Sequence, residues 1–165
     1  MADKMLGWSV TVDGVENVQK LLGLAAEKVR DLRPAFKEIV EQFAAYEMTM
    51  FSRSGAVEGW TRWRPLNPIY AAAKRAQGFR SKILVREGDL KRSLTDPGDP
   101  DFVSRISPLK LEVGTRDPKA AFHQRGTSSL PTREVLRMTE KSYAHFIKIV
   151  QKFLIENDQF ERVNL

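Results

Sequence analysis

Residues 15–51 read VENVQKLLGLAAEKVRDLRPAFKEIVEQFAAYEMTMF, and this run determines most of the architecture. Its apolar residues recur every three or four positions, which is the spacing of an amphipathic helix. Pro34 lacks a backbone donor and disfavours helix at Arg33, so the spacing predicts two helices, or one helix with a marked kink. Because the apolar stripe continues through the break, we expect both halves to cover one core.

Shorter elements are predicted on either side of this run. Residues 8–12, WSVTV, alternate and are followed by an Asp-Gly turn, which predicts a short strand. Asn67 and Pro68 are typical of a helix start, as cap and first helical residue. The runs FVSRIS and KLEVGT are separated by Pro108 and predict a β-hairpin or a pair of neighbouring strands. Further expected elements are a short helix at 89–94, a helical turn at 118–124, a loop at 126–129, an extended piece at 134–136 and a final amphipathic helix at 139–156.

These elements predict an α+β fold. A small antiparallel sheet would pack against a long kinked N-terminal helix and a C-terminal helix, and a long basic loop would connect the elements. The length of 165 residues fits one domain. We place that domain at residues 1–157 and a C-terminal tail at 158–165, which either docks on a neighbour or frays.

Composition excludes several kinds of chemistry. The chain has no cysteine, which excludes disulfides, thiolate nucleophiles and cysteine-ligated metals. Its two histidines, His123 and His145, lack sequence partners for acid–base catalysis or metal binding. Asp96, Asp99 and Asp101 lie in a turn cluster without the glycine and distal glutamate of a calcium loop. We therefore expect a protein that is not an enzyme and that has no cofactor and no metal.

The beginning of the chain lacks the basic and apolar regions of a signal peptide. No apolar run approaches the ~20 residues of a membrane span. We therefore expect assembly in a cytosol and no membrane partner.

The net charge of +6 is concentrated in one segment. Residues 53–92 contain ten basic residues and three acidic ones, whereas the rest of the chain is nearly neutral. Such a cluster is typical of a site for phosphates or an acidic partner, although a solvated loop and helix face has the same composition. Within it, Trp60 and Trp63 interleave with Arg62 and Arg64. These indoles either anchor an irregular loop on the sheet or a neighbouring subunit, or form a platform for nucleic-acid bases.

Short motifs follow one another along most of the chain. They are Val12-Asp13-Gly14, Gly59-Trp60, Trp63-Arg64-Pro65-Leu66, Tyr70 with Lys74, Ile83-Leu84, Glu87-Gly88-Asp89-Leu90-Lys91-Arg92-Ser93, Val113-Gly114-Thr115, Ala121-Phe122-His123-Gln124-Arg125-Gly126 and Leu130-Pro131-Thr132-Arg133. In this order and spacing, over about residues 8–156, the chain resembles the phage virion morphogenesis (tail completion) family. It departs from the family pattern at Glu87, at Ala120-Ala121 and at Glu134-Val135.

The resemblance implies a structural protein of the head-to-tail region of tailed bacteriophages, which finishes the tail or joins it to the DNA-filled head. By similarity with neck proteins it would act as a homo-oligomeric ring of six subunits around the DNA channel, assembled in the host bacterial cytoplasm and retained in the virion. The implied partners are further copies of itself, a tail terminator or tail-tube protein, a head connector or stopper protein, and non-specific double-stranded DNA. The implied structural residues are Trp60, Trp63, Gly88, Leu90, Ser93, His123, Gln124, Gly126, Pro131 and Arg133.

The same role would explain the excess of basic residues at 53–92. We expect Arg75, Arg80, Lys82 and Arg86 to face the DNA in the channel or the acidic rim of a neighbouring ring. The alternative is a stand-alone nucleic-acid-binding regulatory protein that uses the basic segment 53–92, although the sequence shows no helix-turn-helix reader.

Overall fold

A computed structural model of the chain describes residues 15–155, with side chains from residue 22 onward. Within that range it contains six helices and one two-stranded antiparallel sheet, which confirms the α+β prediction. The elements are α1 (Val15–Val29), α2 (Arg33–Ser52), α3 (Pro68–Ala76), α4 (Asp89–Thr95), β1 (Phe102–Ser107), β2 (Lys110–Thr115), α5 (Pro118–Arg125) and α6 (Glu140–Ile155). The strand predicted at 8–12 and the tail predicted at 158–165 lie outside the described residues.

The N-terminal helical run is divided into two helices. α1 ends at Val29, and α2 begins at Arg33 with Pro34 in its first turn. The amide of Leu32 donates to the carbonyl oxygen of Pro108 at 2.8 Å. The linker between the two helices is therefore tied to the turn of the β-hairpin.

The described part of α1 lies at the edge of the core. Leu22 and Val29 are 65% and 47% exposed, and the described side chains of α1 belong to neither buried cluster. α1 packs mainly against α6, where the ammonium of Lys28 donates to the carbonyl oxygen of Phe153 at 2.7 Å. The side chains of residues 15–21 lie outside the described ones, so the expectation that both halves cover one core stays a prediction.

α2 is the central element of the core and packs against α4, α6 and both strands. Near its start, Phe36 and Ile39 pack with Ile149 and Phe153 of α6. Near its end, α2 contributes Met50 and Phe51 to a second cluster that also holds Trp63, Leu90, Leu94 and Val135. α6 therefore runs antiparallel to α2, and its C-terminal end lies beside the start of α2.

Two local predictions are confirmed. The hairpin pairs Phe102 with Thr115 through Ser107 with Lys110, which leaves a two-residue connection at Pro108. The side chain of Asn67 accepts a hydrogen bond from the amide of residue 69 at 2.9 Å and caps α3. Both elements depend on signals between neighbouring residues, which is why the sequence was sufficient to place them.

Candidate functional site

Most of the described motif segments meet around one groove of about 1200 Å³. Its walls come from residues 64–70 with Lys74, from residues 84–90, from α5, and from residues 127–133. The volume exceeds the ~300–1,000 Å³ that is typical of small-molecule pockets. We refer to this feature as the motif groove.

Trp63 anchors the first wall of the motif groove. It is 3% exposed and packs edge-on against Phe51, with 5.4 Å between the ring centroids. Its indole Nε1 donates to the carbonyl oxygen of Glu134 at 2.9 Å. Trp60 is 42% exposed and carries the guanidinium of Arg137 at 3.7 Å from its ring centroid. Trp63 therefore has no ring face free for a base, and its environment is that of a loop anchor.

Arg133 joins this wall to the segment that follows α5. The side chain is 5% exposed, and its Nε and Nη2 donate to the carbonyl oxygens of Arg64 and Pro65 at 2.8 and 3.1 Å. Its own amide donates to the carbonyl oxygen of His123 at 2.8 Å. Burial, and to a smaller extent the charge of Arg133, lower the pKa of the His123 imidazole, which favours its neutral form.

Gln124 and Gly126 also hold the segment that follows α5. The amide group of Gln124 donates to the carbonyl oxygen of Leu136 and accepts from the amides of Val135 and Leu136, all at 2.9–3.0 Å. Gly126 ends α5 with φ of +72°, and a Cβ at this position would lie 2.7 Å from the hydroxyl oxygen of Thr132. Hydrogen bonds from side chains therefore satisfy backbone groups of these irregular segments, which have no helix or strand pairing of their own.

α4 is held at the floor of the groove. Gly88 precedes the helix with φ of +96°, and Leu90 is 5% exposed. The hydroxyl of Ser93 donates to the carbonyl oxygen of Leu90 at 3.1 Å and accepts from the hydroxyl of Thr115 at 2.7 Å. The second half of α4 is thereby connected to the end of β2.

Lys74 organises the basic loop at residues 79–86. This lysine is 3% exposed, and its ammonium donates to the carbonyl oxygens of Lys82 and Val85 at 2.8 and 2.5 Å. Burial, together with the charge of Arg86, lowers its pKa. Sequence reasoning placed Lys74 within a motif and gave it no role, since a lysine in the run IYAAAKRA reads as a solvated helix residue.

The four cations predicted to contact DNA or a neighbouring ring all lie at the surface. Arg75 is exposed on α3, and Arg80, Lys82 and Arg86 are exposed on the basic loop. The guanidinium of Arg86 lies 5.1 Å from the ring centroid of Phe79 and also donates to the side-chain oxygen of Gln77 at 3.0 Å. Lys74 thus fixes the backbone of the basic loop, while its outer cations, Arg80, Lys82 and Arg86, are exposed on that loop. Of these four cations, Arg86 alone is among the residues that line the motif groove.

The turn cluster of aspartates serves the backbone. Carboxylates of Asp96 and Asp99 accept hydrogen bonds from the amides of Gly98 and Asp101, each at 2.9 Å. Over residues 15–155, no group of three histidine, aspartate or glutamate residues is placed to hold a metal ion. In the same range, none of the helices has both the length and the apolar content needed to cross a bilayer.

Comparison with known proteins identifies the family. The model of the phage virion morphogenesis family matches residues 13–154, a range that contains the motif groove and the basic loop. No curated protein and no solved structure matches the chain significantly. Because the family match covers well over half of the chain, the protein belongs to the phage virion morphogenesis family and takes part in building the phage virion.

Proposed function

We propose that the protein completes the phage tail and joins it to the DNA-filled head, as a ring of six copies around the DNA channel. The observation that carries this proposal is the basic loop, whose outer cations are exposed while its backbone is held by Lys74. Family membership supplies the virion context. The work of such a part is positioning and contact, which fits a structural protein rather than an enzyme.

The outer cations act at short range. At physiological ionic strength the Debye length is about 8 Å, so exposed lysine and arginine side chains attract phosphates or carboxylates mainly when these come close. DNA passing through a ring would present such phosphates, and contacts to phosphates carry no sequence information. An acidic rim on an adjacent ring would be bound by the same side chains.

The proposed partners follow from this position in the virion. They are further copies of the chain, a tail terminator or tail-tube protein on one side, and a head connector or stopper protein on the other. Double-stranded DNA is a non-specific partner inside the channel. The protein would assemble in the bacterial cytoplasm and remain in the neck of the particle.

Charge reversal in a complementation assay tests this function. A phage lacking the gene is supplied with a variant carrying Arg80→Glu, Lys82→Glu and Arg86→Glu. We expect a loss of infectious particles, with separate filled heads and tails, or emptied heads, in electron micrographs. The matched control reverses three exposed lysines on α2 and α6, Lys37→Glu, Lys141→Glu and Lys148→Glu, and should retain most of the yield.

The outcome separates the two candidate functions. Wild-type yields from the loop variant would overturn the neck function. If that variant assembled particles normally but the purified protein lost salt-sensitive DNA binding, the regulatory alternative would be favoured instead.

A further inference from the structure

We propose that the motif groove binds residues 156–165 of a neighbouring copy of the chain. This inference rests on the proposed ring, because it requires that copies of the chain contact one another. It adds what the ring proposal leaves open, namely the segment and the surface that join one copy to the next.

The groove presents apolar surface that the described residues leave uncovered. Tyr70 is 47% exposed and Leu130 is 39% exposed, and both line the groove beside Pro65, Pro68 and Pro131. A cleft of about 1200 Å³ exceeds the ~300–1,000 Å³ of most small-molecule sites and suits an extended peptide segment. The occupant should therefore carry apolar side chains along an extended stretch.

The charge of the groove selects among the segments that lie outside the described residues. Its lining includes five basic residues and two acidic ones. Residues 156–165 read ENDQFERVNL, with three acidic residues and one arginine alongside Phe160, Val163 and Leu165. Residues 1–14 contain two acidic residues and one lysine, so they complement the groove less well. Opposite net charges and shared apolar character favour 156–165 as the occupant.

The position of α6 favours binding between copies over binding within one chain. α6 ends at Ile155, beside the start of α2, where Phe153 packs with Phe36. The lining of the groove begins at Arg64, next to Trp63, which packs against Phe51 at the other end of α2. The helix between Phe36 and Phe51 rises about 23 Å, and ten extended residues span at most about 36 Å. A route within one chain would consume most of the segment, whereas a neighbouring copy can present all of it.

This geometry produces a heterologous contact, because a segment from one end of each copy enters a groove at the other end of the next. Contacts of this kind close into a ring when the rotation between copies is suitable. The two ends of the interface are different surfaces, so each can be altered separately.

Disulfide trapping tests the proposal directly, because the chain has no cysteine of its own. A Leu130→Cys variant and a Phe160→Cys variant are purified separately, mixed and oxidised mildly, and the products are separated without reductant. We expect a mixed dimer to form at least about tenfold faster than with Met48→Cys, a site of similar exposure outside the groove, because docking raises the effective concentration. A Glu161→Lys change in the Phe160→Cys chain should slow this reaction, more at low than at high salt.

Three results would overturn the proposal. They are equal rates with Leu130→Cys and Met48→Cys, faster trapping of Leu130→Cys by a Trp8→Cys variant than by Phe160→Cys, and a double variant that closes only within single chains. The mass of the assembly, measured by light scattering, separates this inference from the proposed function. Rings without the trapped dimer would refute the docking alone, and the trapped dimer with wild-type behaviour of the charge-reversed phage would refute the neck function alone.

Discussion

Replacing Glu47 by Gln should stabilise the protein at neutral and alkaline pH. Glu47 lies on the inner face of α2 with 1% exposure, and its Oε2 has no hydrogen-bond partner among the described residues. Burial raises the pKa of this carboxyl from 4.5 to about 8. In the folded protein at pH 7 the group is therefore protonated, whereas in the unfolded chain it is ionised.

The two pKa values set the size and sign of the effect. Between pH 4.5 and about 8, the unfolded chain has released a proton that the folded protein retains, so the free energy of unfolding falls as pH rises. At about 1.36 kcal/mol per pH unit the total is on the order of 5 kcal/mol. This contribution is fully present below pH 4.5 and is lost as pH rises through the folded pKa of about 8. Gln does not titrate, so the variant should gain on the wild type as pH rises.

Urea unfolding of both proteins from about pH 5 to about pH 8, at one ionic strength and one protein concentration, measures the effect. The difference between the two free energies cancels the titration of groups that both proteins share, including His123. Glu41→Gln, an exposed position on the same helix, is the matched control. A difference for Glu47→Gln that depends on pH no more steeply than the difference for the control would refute the assignment of a protonated, buried carboxyl.

Three further substitutions test how the groove walls are held. Gly55 and Gly59 have φ of +84° and +86°, but a Cβ at Gly55 would lie 2.6 Å from the Trp63 ring, whereas at Gly59 it meets nothing within 4 Å. Gly55→Ala should therefore lower the free energy of unfolding by about 1–3 kcal/mol more than Gly59→Ala, and equal losses in urea unfolding would contradict the predicted clash. Lys74→Met should speed amide hydrogen exchange across the basic loop severalfold, and unchanged exchange would show that the lysine does not hold it. Arg133→Lys should cost about 1–3 kcal/mol in urea unfolding, because one ammonium cannot reproduce the forked bonds to two carbonyl oxygens; a wild-type value would refute that role.

The elements that the sequence predicted correctly depend on nearby residues. The cap at Asn67, the break before Pro34 and the hairpin around Pro108 each follow from chemistry within a few positions. The groove depends on contacts between distant residues: Trp63 bonds to a carbonyl 71 positions away, and Arg133 to one 69 positions away. The motifs were visible in order, but nothing in their spacing reported that they meet.

The direction of α1 was not predictable for a related reason. Its apolar stripe has the period of the stripe on α2, and periodicity identifies a buried face without naming the surface that buries it. Leu22 and Val29 are exposed, while α1 packs against α6, the helix that also covers α2. Which surface a stripe covers depends on contacts between distant residues, as with Lys28 and Phe153.

The structure also separates buried cations that bind backbone carbonyl oxygens from exposed cations of the basic segment. Irregular segments have no ladder of their own, so their buried carbonyl oxygens need donors from side chains. Lys74 supplies them to the basic loop, and Arg133 supplies them to residues 64 and 65. A wall fixed in this way loses little conformational freedom when a segment docks, which favours binding. Arg75, Arg80 and Lys82 are exposed and have no such role, whereas Arg86 also contacts the Phe79 ring and the side chain of Gln77. Reversing the charges of Arg75, Arg80 and Lys82 should therefore change contacts with DNA or a neighbour while leaving the free energy of unfolding nearly unchanged, whereas removing Lys74 or Arg133 should lower it.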